Sequence, residues 1–183
     1  MKAVVFDRDG TLINFVHYLS NPSEVQINKD ILPTLRFLTL LPNIKLFVHT
    51  NQSGVERGMF NISDVEKCNN KLFKILKTNF LIDFNVERIF IAPTFDSKYR
   101  KPTNFVALEI EKLFNIKPSS LIYIGDTIVD YQSAIDSNSK CIIYRGKASK
   151  PLSKKLNIDE EYLVYNELDL KKKVENFVYE SND

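Results

Sequence analysis

The 183-residue sequence predicts an α/β fold of three layers, in which a central parallel sheet lies between helices. Short runs rich in β-branched and aromatic residues alternate with segments whose apolar residues recur at helical spacing. Several of the short runs are apolar at consecutive positions, which is typical of strands covered on both faces. Strands that alternate with helices imply right-handed crossovers, so we expect ligands to bind beyond the carboxyl ends of the strands.

Five runs are predicted to be strands. They are AVVF at 3–6, IKLFVH at 44–49, VERIFIA at 86–92, LIYIGD at 121–126 and CIIYR at 141–145. The spacing between them leaves room for one helix in most intervals. We therefore predict one domain over residues 1–183.

Helix starts are indicated by capping residues. The first helix is expected near Asp30, and Ser63 with Glu66 forms an S-x-x-E capping box for the second. Thr103 is the expected cap of the third. We assign 171–183 to a C-terminal helix with a frayed tail, and the polar segment 146–161 to a surface loop.

The composition excludes several classes of protein. No apolar run approaches the roughly 20 residues of a membrane span, so we expect a soluble chain without membrane contact. The N-terminus runs directly into the first strand without room for a secretion signal, which predicts a cytoplasmic protein. A net charge of +2 gives no strong field for nucleic acid, although Lys147, Lys150, Lys154 and Lys155 form a local basic cluster.

Polar residues follow four of the predicted strands. They are Asp7, Asp9, Gly10 and Thr11 after the first, Thr50, Asn51 and Gln52 after the second, Arg100 and Lys101 after the third, and Asp126 and Asp130 after the fourth. Two carboxylates on one loop repel each other, so Asp7 and Asp9 are tolerable only around a cation. Oxygen ligands select a hard ion such as Mg²⁺, which is the cofactor we predict.

These segments resemble, in order, the four motifs of the haloacid dehalogenase superfamily: DRDGT, the second strand with Thr50, Lys101, and GDTIVD. The resemblance covers nearly the whole chain and implies a Rossmann-like fold and a phosphatase. Four stretches are similar to the branch that holds histidinol-phosphate and heptose bisphosphate phosphatases. They are DRDGTLIN, YLSNPSEV, TNQSGVERGMF and YRKP.

The resemblance implies a role for each acidic residue. Asp7 would attack phosphorus and form an aspartyl-phosphate, with its other oxygen on Mg²⁺. Asp9 would bind the metal through its backbone carbonyl, protonate the leaving oxygen and later take a proton from water. Asp126 would coordinate Mg²⁺, and Asp130 would reach the same ion through water or hold Lys101.

The remaining candidates would contact the substrate. The Thr50 hydroxyl and the Asn51 backbone N–H are suited to a nonbridging phosphate oxygen. Lys101 would supply a point charge, and Arg100 a fork for a second anionic group. Gln52 and Arg57 follow Thr50 in a loop that is expected to set specificity.

Two features depart from that branch. Its usual Cys/His zinc loop is replaced here by FIAPTFDSKYRKP, which has no zinc ligands of that kind. Neither interval that commonly carries a cap domain is long enough for one, so we expect no cap and an open site. An open site admits small phosphate esters or the end of a polymer.

Three functions follow from these observations. The first is hydrolysis of a small phosphorylated metabolite of the histidinol phosphate or sugar phosphate or bisphosphate type. The second is a polynucleotide 3′-phosphatase, with nucleic acid as the partner, because Tyr99 before Arg100 and the basic cluster also suit that group. The third, a non-enzymatic phosphoacceptor receiver domain, is disfavoured by Asp9, since receivers keep their phosphate. The oligomeric state is not predicted.

Overall fold

A computed structural model describes residues 1–151 and 156–180 and contains a six-stranded parallel sheet with helices on both faces. The strands are β1 Lys2–Phe6, β2 Ile44–Asn51, β3 Arg88–Ala92, β4 Leu121–Gly125, β5 Lys140–Tyr144 and β6 Leu163–Val164. All five predicted strands are present, and the α/β three-layer prediction is confirmed. β6 was not predicted, because two residues carry no readable pattern.

The spatial order of the strands is β3-β2-β1-β4-β5-β6. The chain runs outward from β1 to β3 and then returns to place β4 on the other side of β1. The strand order thus reverses between β1 and β4. In an open parallel sheet, the crevice beyond the carboxyl ends at this point is the usual ligand site.

The helices are α1 Leu32–Thr39, α2 Ile62–Phe80, α3 Phe105–Phe114, α4 Ile128–Asp136 and α5 Glu167–Tyr179. One face of the sheet packs on α1, α2 and α5 through a core that includes Phe6, Leu35, Leu72 and Val174. The other packs on α3 and α4 through a core that includes Phe47, Ile110 and Ala134. Burial on both faces explains the consecutive apolar residues of β1 and β4.

Three boundaries differ from the predictions. α2 begins two residues earlier than expected, because its capping box is formed by Asn61 and Asp64 and not by Ser63 and Glu66. α5 begins at Glu167, because the Asn166 side chain accepts the N–H of Asp169 at 3.0 Å. The N-cap residue of α3 is Asn104, although the Thr103 hydroxyl accepts the N–H of Phe105 at 3.1 Å.

The segment 146–161 is not simply a surface loop. Ala148, Ser149 and Ile158 are buried, so parts of the segment pack against the body of the molecule. Lys154 and Lys155 of the predicted basic cluster lie outside the described residues, as do residues 181–183 of the predicted tail.

The segments where an insertion would cover the site are short. Residues 7–31 contain only two 3₁₀ turns, Pro22–Glu24 and Lys29–Ile31, and residues 52–61 contain no helix or strand. Within these fully described segments there is no folded cap. Across the described part of the chain, no helix combines the length and apolar character needed to cross a membrane.

Candidate active site

The predicted site residues converge where β1, β2 and β4 end. The backbone N–H of Asp7 donates to the carbonyl of Ile124 at 2.8 Å, which continues the β1–β4 pairing past the end of β1 and brings Asp7 beside Asp126. Both side chains line an open cavity of ≈ 270 Å³ together with Asp9, Gln52, Arg100 and Lys101. The predicted meeting of motifs at this edge is thus observed.

Lys101 lies between two carboxylates. Its Nζ donates to Asp7 Oδ1 and, at 2.5 Å, to Asp130 Oδ1. Burial by itself would lower the pKa of Lys101, but the charges of Asp130 and Asp7 raise it above its ordinary value. The pKa of Asp7 is raised well above its usual range by burial and by neighbouring carboxylates, against the effect of Lys101. None of the described residues donates to the second oxygen of Asp7, Oδ2.

Asp126 has one oxygen without a protein partner. Its Oδ1 is buried and accepts no hydrogen bond from the described residues, whereas Oδ2 accepts the backbone N–H of Lys150 at 2.6 Å. Burial, followed by the charge of Asp130, raises the pKa of Asp126 to about 7. Gly10 approaches this carboxylate so closely that a Cβ there would lie 2.3 Å from Oδ2. With φ at +94°, that position favours glycine for two reasons.

The cluster suits a hard divalent cation. Asp7, Asp126 and Asp130 each offer a carboxylate oxygen, and these atoms lie within 4.8 Å of one another. A buried, unpartnered oxygen on Asp126 is a donor that such an ion would satisfy, and clustered carboxylates need one to offset their repulsion. The residues therefore fit a Mg²⁺ ion.

Asp130 has both oxygens engaged by protein groups. Oδ2 accepts the backbone N–H of Thr127 at 3.0 Å and its hydroxyl at 2.6 Å, in the capping box of α4, while Oδ1 contacts Lys101. Burial alone would raise the pKa of Asp130, but the charge of Lys101 and these hydrogen bonds together lower it. Of its two expected roles, the contact with Lys101 is observed, and the metal role stays a prediction.

Asp9 lies beside Gln52 and Thr50. Gln52 Nε2 donates to Asp9 Oδ2 at 2.8 Å and to the Thr50 hydroxyl at 2.9 Å. Thr50 Oγ1 is 3.4 Å from the same Asp9 oxygen. Thr50 is buried and is not among the residues that line the cavity. Its predicted contact with phosphate stays a prediction.

Asn51 contacts Lys101 through its side chain. Asn51 Oδ1 accepts the backbone N–H of Lys101 at 2.9 Å, and Nδ2 donates to the Lys101 carbonyl at 3.0 Å. His49 supports the same segment, because its Nε2 lies 2.6 Å from the carbonyl of Tyr99. The sequence indicated a phosphate contact for Asn51 but not this role in placing Lys101.

Arg100 and Arg57 both pack on Phe95. Their guanidinium carbons lie 4.6 Å and 5.1 Å from its ring centroid. Arg100 lines the cavity, and its Nη1 is buried without a partner among the described residues. Arg57 is exposed and does not line the cavity, so its predicted substrate contact is the least supported by position.

Several residues of the cavity were not predicted. They include the aromatic residues Phe15, His17, Tyr18 and Phe60, together with Lys150. The rings of His17 and Tyr18 are 4.2 Å apart, and Lys150 Nζ lies 5.5 Å from the centroid of Phe15. Lys147, from the same basic cluster, lines a different depression. Three aromatic residues within the four positions 15–18 are the sequence signal that was present for these contacts.

Known proteins with similar sequences are phosphatases, which is the class of enzyme predicted for this site. The sequence is 28% identical to the D-glycero-α-D-manno-heptose-1,7-bisphosphate 7-phosphatase of Campylobacter jejuni over 151 residues, 81% of this chain and 85% of that protein. It is 29% identical to the D-glycero-β-D-manno-heptose-1,7-bisphosphate 7-phosphatase of Helicobacter pylori over 142 residues, 76% of this chain and 80% of that protein.

The fold has close counterparts among solved structures. The D,D-heptose 1,7-bisphosphate phosphatase of B. bronchiseptica, crystallised with magnesium and phosphate, superposes with a TM-score of 0.78 over 96% of this chain and 99% of that one, at 21% identity. The sequence model of the family described as polynucleotide kinase 3 phosphatase matches residues 2–161. The prediction of a haloacid dehalogenase-type phosphatase is confirmed, and the chain belongs to the polynucleotide kinase 3 phosphatase family within that superfamily.

Proposed function

We propose that this protein is a Mg²⁺-dependent phosphomonoesterase that acts on a small sugar phosphate or bisphosphate through an aspartyl-phosphate on Asp7. The geometry around Asp7 carries the proposal. Oδ1 is held by Lys101, while Oδ2 accepts no hydrogen bond from the described residues and lies at the cavity beside Asp126. A carboxylate held by one oxygen and free at the other is placed to act as a nucleophile.

The reaction has two displacements. In the first, an Asp7 oxygen bonds to phosphorus as the ester P–O bond breaks, and Asp9 gives a proton to the leaving oxygen. In the second, water bonds to phosphorus and loses a proton to Asp9 as the Asp7–phosphorus bond breaks, which restores both residues. Lys101 offsets negative charge next to the transferred group throughout.

Asp7, Asp126 and the backbone carbonyl of Asp9 would hold Mg²⁺, with Asp130 adjacent. The bound ion would neutralise the carboxylates and the phosphate so that an anion can approach them. Lys101 and Arg145 already supply positive charge near Asp7 and Asp126, but burial and mutual repulsion keep the pKa of both acids raised.

A sugar bisphosphate is supported by two observations. The curated relatives from C. jejuni and H. pylori are heptose-1,7-bisphosphate 7-phosphatases. In this chain, Arg100 lines the cavity and its Nη1 has no partner among the described residues, so the guanidinium would be able to pair with a second phosphate.

A polynucleotide 3′-phosphatase is the second candidate. The matching family is described as polynucleotide kinase 3 phosphatase. Phe15, His17 and Tyr18 beside Lys150 also offer aromatic rings next to a cation, a combination that suits the bases and backbone of a strand end.

One panel of substrates separates the candidates. Phosphate release is measured from a heptose bisphosphate, a hexose phosphate, histidinol phosphate and a 3′-phosphorylated oligonucleotide, with the Asp7→Asn variant as the blank. We expect the highest kcat/KM with the sugar bisphosphate and a loss of that preference in Arg100→Met. A kcat/KM higher by about 100-fold for the oligonucleotide, with steep salt dependence, would overturn the first assignment.

A further inference from the structure

Arg8 is the largest fully buried side chain of the protein among the described residues, although it carries a charge. Its exposed fraction is 1%, and it lies between Asp7 and Asp9 in the sequence. Burying a guanidinium costs several kcal/mol unless it is fully paired. The partners of Arg8 therefore decide how its charge is accommodated in this loop.

The partner of Arg8 is the carboxylate of Asp9. Nη2 donates to Oδ2 at 2.9 Å and to Oδ1 at 3.1 Å, and Nε donates to Oδ2 at 3.1 Å. With the bonds from Gln52 at 2.8 Å and Thr50 at 3.4 Å, Oδ2 accepts four hydrogen bonds. Oδ1 accepts one among the described residues, from Arg8 Nη2. The two oxygens of Asp9 are thus unequal, and Oδ1 is the one left to exchange a proton.

Arg8 has a second partner outside the site. Nη1 donates at 2.9 Å to the side-chain oxygen of Asn69, in the middle of α2. Asn69 is 3% exposed and lies on the face of α2 that also carries the core residues Val65 and Leu72. An amide on the core face of a helix is unusual, and this one has the Arg8 guanidinium as its partner.

We propose that Arg8, oriented by Asn69, is a positioning residue that fixes the Asp9 carboxylate with Oδ1 as the proton-transferring oxygen. The inference rests on the proposed function, in which Asp9 gives a proton to the leaving oxygen as the ester bond breaks. The planar fork of Arg8 sets the rotation of the carboxylate, which a single hydrogen bond would not. Asn69 sets the rotation of the fork and does not itself line the cavity.

The test compares two substrates of the same shape. p-Nitrophenyl phosphate has a good leaving group that needs little protonation, whereas phenyl phosphate has a poorer one. The kcat/KM for p-nitrophenyl phosphate divided by that for phenyl phosphate reports the acid step. This ratio does not depend on how much of a preparation is folded. A residue with only a structural role would lower both values and leave the ratio unchanged.

We expect Asn69→Leu and Arg8→Met to raise this ratio at least about five-fold, toward the value of Asp9→Asn, with KM for p-nitrophenyl phosphate within about two-fold of wild type. Asn70→Leu is the matched control, since it makes the same change at the next, exposed position of α2 and should leave the ratio unchanged. If Arg8→Met does not fold, Asn69→Leu alone decides.

An unchanged ratio in Asn69→Leu and in any folded Arg8→Met protein, with a raised ratio in Asp9→Asn, would overturn the inference and leave the proposed function standing. Wild-type rates in Asp9→Asn would instead overturn the acid–base role of Asp9. The two failures are therefore distinguishable from one set of measurements.

Discussion

Lys101 and its carboxylate neighbours illustrate how single residues work in this site. The ammonium of Lys101 is buried and contacts both Asp7 and Asp130, so three ionisable groups share one small volume. Asp130 is itself held by the first turn of α4, which fixes the position of Lys101. Removing any one charge therefore changes the pairing of the others.

Asp7→Asn is expected to lower kcat for p-nitrophenyl phosphate by at least about 10³-fold, because an amide is a far poorer nucleophile than a carboxylate. The amide oxygen can still accept from Lys101, so we expect the thermal midpoint to stay close to that of wild type. Asp136→Asn, on the exposed side of α4, is the control and should keep full activity. Near-normal turnover in Asp7→Asn would be incompatible with an aspartyl-phosphate.

His49 is expected to make the protein less stable in acid. Burial lowers the pKa of His49 from 6.5 to about 3, so in the pH interval between these values the unfolded chain binds a proton that the folded protein does not. Stability contributed by the neutral ring is present above the unfolded pKa and is lost as pH falls below it. At about pH 5, the stability lost in this way is about 2 kcal/mol.

Urea unfolding of wild type and His49→Gln near pH 5 and near pH 7.5 checks this expectation. Glutamine retains a donor for the Tyr99 carbonyl but does not titrate. The difference in unfolding free energy between the two proteins should shift in favour of the variant as pH falls. Carboxylates titrate in both proteins and cancel in the comparison, so a pH-independent difference would contradict the prediction.

At the scale of elements, local sequence patterns were sufficient to predict β1–β5 but not the boundaries of every helix and strand. The helix start at Asn61 was missed because two capping boxes overlap there in sequence, and only one forms. β6 depends on pairing with β5, a contact that no local pattern encodes. Elements built from long apolar runs are thus predictable from the sequence. The exact end of an element is not predictable where two neighbouring residues could each serve as its cap.

The residues of the site likewise include some that were predictable from the sequence and some that were not. Asp7, Asp9, Lys101 and Asp126 were predictable because parallel strands bring their carboxyl ends to one edge of the sheet. Phe15, His17, Tyr18 and Lys150 lie on segments without periodicity, so nothing local indicates which way they turn. The contact of Arg8 with Asn69 was not predictable for another reason, since the two residues are distant in sequence.

The segment after β5 forms a strap, residues 145–150, that supports Asp126. Arg145 Nη1 donates to the Asp126 carbonyl at 2.7 Å, and Nη2 donates to the Lys150 carbonyl at 2.9 Å. The backbone N–H of Lys150 in turn donates to the Asp126 carboxylate. Arg145 thus contacts the backbone carbonyl of Asp126 directly and supports its carboxylate through Lys150.

Arg145→Met should weaken Mg²⁺ binding about ten-fold, because changing groups that orient a metal ligand typically costs 10- to 100-fold in affinity. Isothermal titration with Mg²⁺ alone measures this without reference to turnover. Lys147→Met is the matched control on the same strap, since Lys147 faces a different depression. Because the substitution also removes a positive charge near Asp126, which by itself favours Mg²⁺, equal or higher affinity in Arg145→Met would contradict the expected weakening.

At the scale of the whole molecule, the reversal of strand order between β1 and β4 creates the site. Asp7 follows β1 and Asp126 follows β4, so the two acids lie together although they are distant in sequence. The core supports this crowding from both faces of the sheet. Without metal, the acids are an electrostatic cost to the fold, which links stability to both pH and Mg²⁺.

Stabilisation by Mg²⁺ should therefore increase with pH. The pKa of Asp126 is raised to about 7 and that of Asp7 is also raised, mainly by burial, so the metal-free folded protein holds protons that the unfolded chain has lost. As pH rises from the carboxyl pKa of the unfolded chain to that of the folded protein, these two groups lower the stability of the metal-free protein. Above the folded pKa, this loss of stability is complete. Mg²⁺ binds the ionised carboxylates and must displace any proton.

We expect the rise in thermal midpoint on adding Mg²⁺ to be larger near pH 8 than near pH 6. Asp126→Asn should show a smaller rise at both values, because the amide is a weaker ligand, and a weaker dependence on pH, because it does not titrate. The metal-free variant should also be more stable than metal-free wild type near pH 8, since it removes a buried charge. A Mg²⁺ effect independent of pH in wild type would mean that Asp126 is already ionised before the metal binds.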